Sequence, residues 1–401
     1  MKYGFLTMLI PKDQESTVRQ LSRHNMQDAA NALQWNLFEG FQENLDADVR
    51  LFNVLPVGSF PQYYRKAFIP AGSFATQYNQ DNRNIGFCNV KLLRKYLQPG
   101  KIYQELKNWC LEDDEEKTLF VYTVCAPFMQ AVSRIKRECL KLKVCAIIAD
   151  LPEMSSLSSR KSLLQKIFAK NQANKAYDNI NCVDAFVLLT KQMADYMGIQ
   201  KPWMVMEGIA SSTTPCSFRK TDKKTILYTG TLHKRFGVLS LIEAFRQISG
   251  EEYRLVVCGV GDSEQQIHEH AKQDTRIVFM GQVTRETALQ LQQEATVLVN
   301  PRQNNEGFTK YSFPSKTMEY LASGVPVVAY KLDGIPDEYD SYINYVTDDS
   351  AESLARKLVE ICDLDEETRR ALGRQGTEFV LKNKNARAQT RRILEFINAS
   401  F

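Results

Sequence analysis

Four strand-to-loop junctions in the second half of the chain carry residue types that can bind a charged ligand. In Tyr228-Thr-Gly-Thr-Leu-His-Lys-Arg-Phe-Gly237 an apolar segment runs into Gly230 and then into a helical pattern. Gly230 lets the backbone turn close to a ligand, and the free amides of the following helix suit a phosphate. Lys234 and Arg235 can add cationic contacts, or they are a solvated loop pair, and His233 is within the same turn. Val257-Cys-Gly-Val-Gly-Asp262 and Phe279-Met-Gly-Gln-Val283 also end in glycine turns, signals that are weak alone because such turns also just reverse a chain. The fourth junction, Pro314-Ser-Lys-Thr-Met-Glu319 through Val325-Pro-Val-Val328, has a helix-start signature, a carboxylate one turn inside, and a glycine return to a strand. Upstream of it, Arg302 follows a strand at Asn300-Pro301.

These junctions need elements to hold them, and the pattern supplies two sets. Before about residue 210, strand patterns at Gly4–Ile10, Val49–Leu55, Leu119–Val124, Val144–Ala149, Ala185–Leu189 and Trp203–Met206 alternate with helices. The helices are expected at Met26–Phe41, Val90–Leu97, Tyr103–Leu111, Met129–Leu140, a basic stretch at 159–177, and Lys191–Met197. Residues 56–90 lack a period and read as a long connection, and Trp35, Phe38 and Phe41 read as core packing. The polar run Ser211–Lys224 reads as a linker. A second alternation follows, with strands at Thr225–Tyr228, Arg254–Val257, Arg276–Phe279, Thr296–Val299 and Val325–Tyr330, and a closing basic amphipathic helix at Asn385–Phe401. Apolar strands alternating with amphipathic helices predict α/β domains with parallel sheets covered on both faces. Ligands then bind beyond the carboxyl ends of the strands. Asp150 ends one such strand in the first half, as a structural cap or as a sugar contact.

The string PSKTMEYLASGVPVVAY resembles the donor-binding signature of retaining glycosyltransferase family 4. TILYTGTL with GVLSLIEAF, RLVVCGVGD, IVFMGQV, and DAFVLLTKQMADYMG with VMEGI resemble other segments of that family. The resemblance implies the GT-B fold, two Rossmann-like domains facing each other across a cleft, with the last helix crossing back to the first. It places an acceptor domain at 1–212 plus 385–401 and a donor domain at 213–384. It further implies sugar transfer from a nucleotide-diphosphate sugar to a hydroxyl of a glycan or lipid-linked saccharide, with retention, as in surface or exopolysaccharide synthesis. By the same resemblance Glu319 binds the ribose, Ser315 and Lys316 the diphosphate, Val283 the base and Gly230 the backbone beside the diphosphate. Three departures qualify it. The first glutamate of the family pair is Tyr311 here; Glu306 either takes its place after an insertion or is a surface carboxylate. The usual arginine and lysine of the first turn are Thr231 and Phe236, and the glycine pair after the first strand is absent. Readings left open are a sugar-nucleotide epimerase with the same donor site and a weakly active nucleotide-sugar-binding partner subunit.

Composition sets the limits. The 401 residues are 44% hydrophobic and 24% charged, ordinary globular values that exclude disordered, collagenous and disulfide-scaffold classes. No apolar run approaches a membrane span, and nothing resembles a signal peptide. Nine scattered cysteines without a C-x-x-C pair read as reduced residues of a cytoplasmic protein. Four histidines without ligand spacing to cysteine argue against zinc, and no D-x-D stands at a strand end, so metal-independent transfer without a cofactor is expected. Residues 1–212 hold 26 Lys+Arg and 21 Asp+Glu, with a local concentration at Arg134, Lys136, Arg137, Lys141 and Lys143. That cluster is either a solvated helix face or a contact for an anionic partner such as the inner face of a membrane. Nucleic acid is disfavoured, because no aromatic-interleaved basic stripe accompanies it.

Overall fold

The computed structural model describes residues 1–23, 26–151, 171, 173–211, 223–304 and 307–401. It divides into two compact units: Met1–Glu207 with Ala386–Phe401, and Gly208–Asn385.

The first unit is built on an eight-stranded sheet. From one edge its strands are Trp203–Val205, Ala185–Leu188, Leu142–Ile148, Lys117–Tyr122, Lys2–Thr7, Val49–Asn53, Asn82–Asn84 and Gly72–Phe74. Every neighbouring pair is parallel except the last. The central strands are apolar on both faces, as a sheet sandwiched between helices requires. Phe41 stacks on Phe120 with ring centroids 4.1 Å apart, and Phe5 meets both rings edge-on. Residues 56–90, expected to be a connection, instead contain four short strands. Two extend the main sheet, and two, Phe68–Ile69 and Phe87–Cys88, pair antiparallel. They carry no hydrophobic period because each is only two or three residues long. The expected helices Val90–Leu97 and Tyr103–Leu111 are one helix, Lys91–Leu111, with Pro99 inside it. Burial of Ile102, Tyr103, Leu106 and Trp109 against neighbouring elements outweighs the hydrogen bond that the proline removes.

The loop after the first strand lacks glycine and is shaped by side chains. Gln34 accepts from the Met8 amide (2.7 Å) and donates to the Met8 carbonyl (2.9 Å); Asn53 and Asn31 accept from the amides of Leu9 and Ile10. The Trp35 indole donates to the Ile10 carbonyl. The helix Asp28–Asn44 that supplies Gln34 and Trp35 is covered by the terminal helix Ala386–Ser400, where Ile393 and Ile397 are buried.

The second unit has six parallel strands in the order Ile277–Gly281, Tyr253–Cys258, Lys224–Thr229, Val297–Asn300, Val327–Ala329, Asn344–Tyr345. Helices such as Val238–Arg246 and Ala351–Asp363 bury Leu241, Phe245, Leu354 and Leu358 on the sheet. Chain order reverses between Lys224–Thr229 and Val297–Asn300, so the loops leaving these adjacent strands diverge and open a crevice at their carboxyl ends.

The docking of the terminal helix depends on Gly40. A Cβ there would lie 2.5 Å from the Ala386 carbonyl oxygen and 2.6 Å from Thr390 Oγ1. Gly40→Ala is expected to destabilise the protein by about 1–3 kcal/mol through this overpacking. A denaturant titration showing no loss would refute the close approach.

Candidate functional site

At the reversal of the second sheet a buried phenol holds the strand end. Tyr320 Oη accepts from the Thr229 amide (2.8 Å) and donates to the Thr229 carbonyl (2.9 Å). Tyr320 comes from the helix Ser315–Ala322, so this pair locks the helix to the end of Lys224–Thr229. Gln292, fully buried on the helix Arg285–Glu294, extends the network. Its Nε2 donates to Thr229 Oγ1 (3.0 Å) and to Glu319 Oε1 (2.7 Å). Lys316 Nζ also donates to Glu319 Oε1, at 2.7 Å. Both contacts fall on one oxygen, so the half-buried Glu319 is oriented while Oε2 takes no hydrogen bond among the described residues. A fixed carboxylate with one free oxygen can accept from a hydroxyl-bearing ligand. Burial pushes its carboxyl up, but the Lys316 charge and the two hydrogen bonds outweigh this and hold it below the ordinary glutamate value.

The glycine turns stack side by side. Gly230 N–H donates to the Cys258 carbonyl at 3.0 Å, and Gly259 N–H donates to the Gly281 carbonyl at 2.8 Å. Gly259 has φ +143°, and a Cβ on it would stand 1.8 Å from the Gly230 oxygen, so the two turns fit together only without a side chain there. Asp262 couples the second turn to the first: Oδ1 accepts from the Lys234 amide and Oδ2 lies 3.0 Å from His233 Nδ1. Burial raises the Asp262 carboxyl, and these partners bring it below its ordinary value. His233 is thereby oriented by a carboxylate.

Arg302 is the unusual member. It is 7% exposed, and its only side-chain hydrogen bond among the described residues runs from Nη2 to Ser312 Oγ at 2.7 Å. Nε is buried without a partner, and no carboxylate pairs with the guanidinium among the described residues. The group lies 4.5 Å from the Phe308 ring centroid and 5.6 Å from that of Phe236, while Arg235 stands 5.2 and 5.0 Å from the same two rings. Burial and the neighbouring Arg235 charge pull Arg302 down to about 10. The first turn is pressed onto this strand end: Gly237, at φ +79°, has space for a Cβ only 2.0 Å from the Pro301 oxygen.

Gly230, Thr231, His233, Lys234, Arg235, Arg302, Ser315, Lys316 and Glu319 thus all belong to the loops and helix start at the reversal of one sheet. Thr231 is exposed, its carbonyl accepting from the Tyr228 phenol, and Ser315 opens its helix exposed to solvent. Val283 is half-buried beyond the strand Ile277–Gly281, just before the Thr284 cap of the helix that carries Gln292. Tyr311 lies in a short 3-10 turn, and Glu306 lies outside the described residues, as does most of the basic stretch 159–177. Asp150 belongs to the other unit, where it stands exposed just after the strand Leu142–Ile148. Gln292 carried no local signal in sequence, being one of several glutamines on a polar helix. Thr123, also missed, has φ +64° at the end of Lys117–Tyr122, where the first sheet's order reverses. A β-branched residue there is strained, a feature that concentrates at functional sites. Among the described residues no group of three His, Cys, Asp or Glu is placed to hold a metal.

Because folding depresses the Glu319 carboxyl, its contribution to stability is present above the unfolded value and is lost as pH falls through the folded one. Glu319→Gln is therefore expected to flatten the acid limb of Tm against pH below about pH 5. An unchanged limb in thermal melts would show that Lys316 and Gln292 do not hold the carboxylate.

Residues 223–363 match the sequence profile of the glycosyl transferases group 1, a span that takes in every site residue of the second unit. A search of curated protein sequences finds no match. Among solved structures the chain is similar to sucrose-phosphate synthase from Thermosynechococcus elongatus (15% identity, TM-score 0.63, covering 100% of this chain and 99% of that one). It is similar also to the lipopolysaccharide outer core galactosyltransferase WaaB (12% identity, TM-score 0.63, 100% of both chains). A third is trehalose-6-phosphate synthase OtsA (8% identity, TM-score 0.65, 99% of both). The chain therefore has the GT-B fold, and its second unit carries a glycosyl transferases group 1 domain.

Proposed function

We propose that the protein is a retaining glycosyltransferase that moves a sugar from a nucleotide-diphosphate sugar to a hydroxyl of a glycan or lipid-linked saccharide. The observation that carries the donor reading is Arg302. Among the described residues no carboxylate pairs with this buried guanidinium; such burial is costly, and an oxyanion seated beside it would remove that cost. In this reading Arg302, with Arg235, takes over the charge that the first turn lacks at Thr231 and Phe236. The helix start at Ser315 adds free amides, and Lys316 an ammonium, toward the same diphosphate. Glu319 accepts from the ribose hydroxyls through Oε2, with Gln292 and Lys316 keeping it in place.

Transfer from such a donor breaks the bond between the anomeric carbon and the diphosphate oxygen, so negative charge grows on the leaving group. Cations and amides already aimed there stabilise that charge without reorganising. A strong protein base is then less necessary than a well-held leaving group. In this reading His233, oriented by Asp262 in the same turn, contacts the diphosphate or the sugar. Asp150 is proposed as an acceptor-side contact, on the strength of its position after a central strand. The basic first half suits an acceptor bearing phosphate.

Arg302→Met separates this role from a purely structural one. It removes a buried charge that has no carboxylate partner among the described residues, so the ligand-free variant should melt at or above the wild-type temperature. The stabilisation of wild type by UDP, GDP or ADP should disappear, and donor turnover should fall by about 10²–10³. Nucleotide stabilisation retained in full would sink the assignment. Likewise, donor turnover unchanged in Glu319→Ala would refute the nucleotide site.

A further inference from the structure

The second unit exposes little large apolar surface, and what it exposes lies in one place. Of the large apolar side chains exposed among the described residues, only Val260 and Met280 belong to this unit, at 40% and 43%. Val260 follows Gly259 and Met280 precedes Gly281, two glycines joined by an amide-to-carbonyl hydrogen bond of 2.8 Å. Met280 also interrupts the strand ladder. Phe279 pairs with Val257 and Gly281 with Cys258, so Met280 has no opposite residue. Such bulges re-aim a side chain, are rare between parallel strands, and are over-represented next to active sites. This one falls at the carboxyl end of the strand Ile277–Gly281, where Gly281, at φ +64°, turns the chain toward the helix Arg285–Glu294. A Cβ on Gly281 would meet nothing within 4 Å, so the space beside the bulge is open.

The helix that follows opens on a cation with no partner. Arg285, its first residue, is exposed and makes no hydrogen bond, ion pair or ring contact among the described residues. Its backbone is fixed, because the Thr284 side chain accepts from the Thr287 amide and caps the helix. Gln292, which donates to Glu319 at 2.7 Å, lies seven residues further on, two turns along the same helix face and about 10 Å away. Because the helix starts at the carboxyl end of a strand, Arg285 stands at the crevice end of that face, and it interacts electrostatically with Glu319.

A nucleoside diphosphate places its base on the far side of the ribose from the diphosphate. With the ribose at Glu319 and the diphosphate at Arg302, Ser315 and Lys316, that side is where Arg285 and the bulge stand. We propose, resting on the donor reading, that Arg285 selects the donor's nucleobase, favouring the carbonyl edge of uracil or guanine, while Val260 and Met280 cover the face of the ring. A guanidinium only donates, so it pairs with O4 of uracil, or with O6 and N7 of guanine. The amino groups of cytosine and adenine at the equivalent positions are donors as well, and facing Arg285 they leave both partners unsatisfied.

Isothermal titration of the full chain with UDP, GDP, CDP and ADP tests this selection. The wild type is expected to bind UDP or GDP about tenfold more tightly than CDP and ADP, and the tighter of the first two identifies the base. Arg285→Ala should bring the four to nearly equal affinity. Arg285→Gln, whose amide donates to N7 and accepts from the N6 amino group of adenine, should move ADP ahead of the others. Met280→Ser should weaken all four without changing their order, since an apolar surface does not read the edge of a base. Both positions are exposed, and an unchanged Tm without nucleotide establishes that the variants fold. Equal binding of the four by the wild type, or an unchanged order in Arg285→Ala, overturns the role of Arg285 and leaves the donor site standing. Failure of all four to bind the wild type overturns the donor reading and the selection with it.

Discussion

One phenol hydroxyl satisfies both the amide and the carbonyl of Thr229, and the second unit is organised around that pair. A strand end inside a covered parallel sheet has no next ladder partner, and leaving its polar groups unpaired in the interior is costly. Tyr320 meets the need from a helix that begins three strands later in the chain, and so brings Glu319, its neighbour in sequence, to the crevice. Gln292 completes the arrangement from a third element by joining the Thr229 hydroxyl to the Glu319 carboxylate. The buried network therefore fixes the strand end and orients the Glu319 carboxylate with the same atoms.

The strand-order reversal decides where this network is used. Diverging loops leave room beyond Gly230 and the helix starting at Ser315, and they allow Arg302 to point between two phenyl rings instead of into water. Cation–aromatic contacts offset part of the desolvation of Arg302 but leave Nε unpaired. The protein holds this charge ready, at the expense of stability, beside a glycine turn whose own positions 231 and 236 are uncharged.

The distribution of charge acquires meaning in the same way. In sequence, residues 134–143 look like the basic surface of the first unit. In the folded chain most of those cations are partnered or stacked. Local density of lysine and arginine is thus a poor guide to what solvent meets.

How much was legible follows from the range of each cause. Alternating apolar strands and amphipathic helices, the glycine turns, and the helix start at Ser315 with Glu319 one turn inside are local patterns, readable because their periods and turn chemistry act over a few residues. The short strands of residues 56–90 were not legible, since they are too brief to show a period, and the gap expected between the helices Val90–Leu97 and Tyr103–Leu111 is closed by packing despite Pro99. The Gln292 contacts and the burial of Arg302 without a carboxylate among the described residues were equally invisible, because both are relations among segments distant in sequence. By itself the sequence determined the α/β class and the chemistry available at each strand end. Only the tertiary structure decided which ends adjoin and which charges go unpaired, because burial and pairing are properties of neighbours in space.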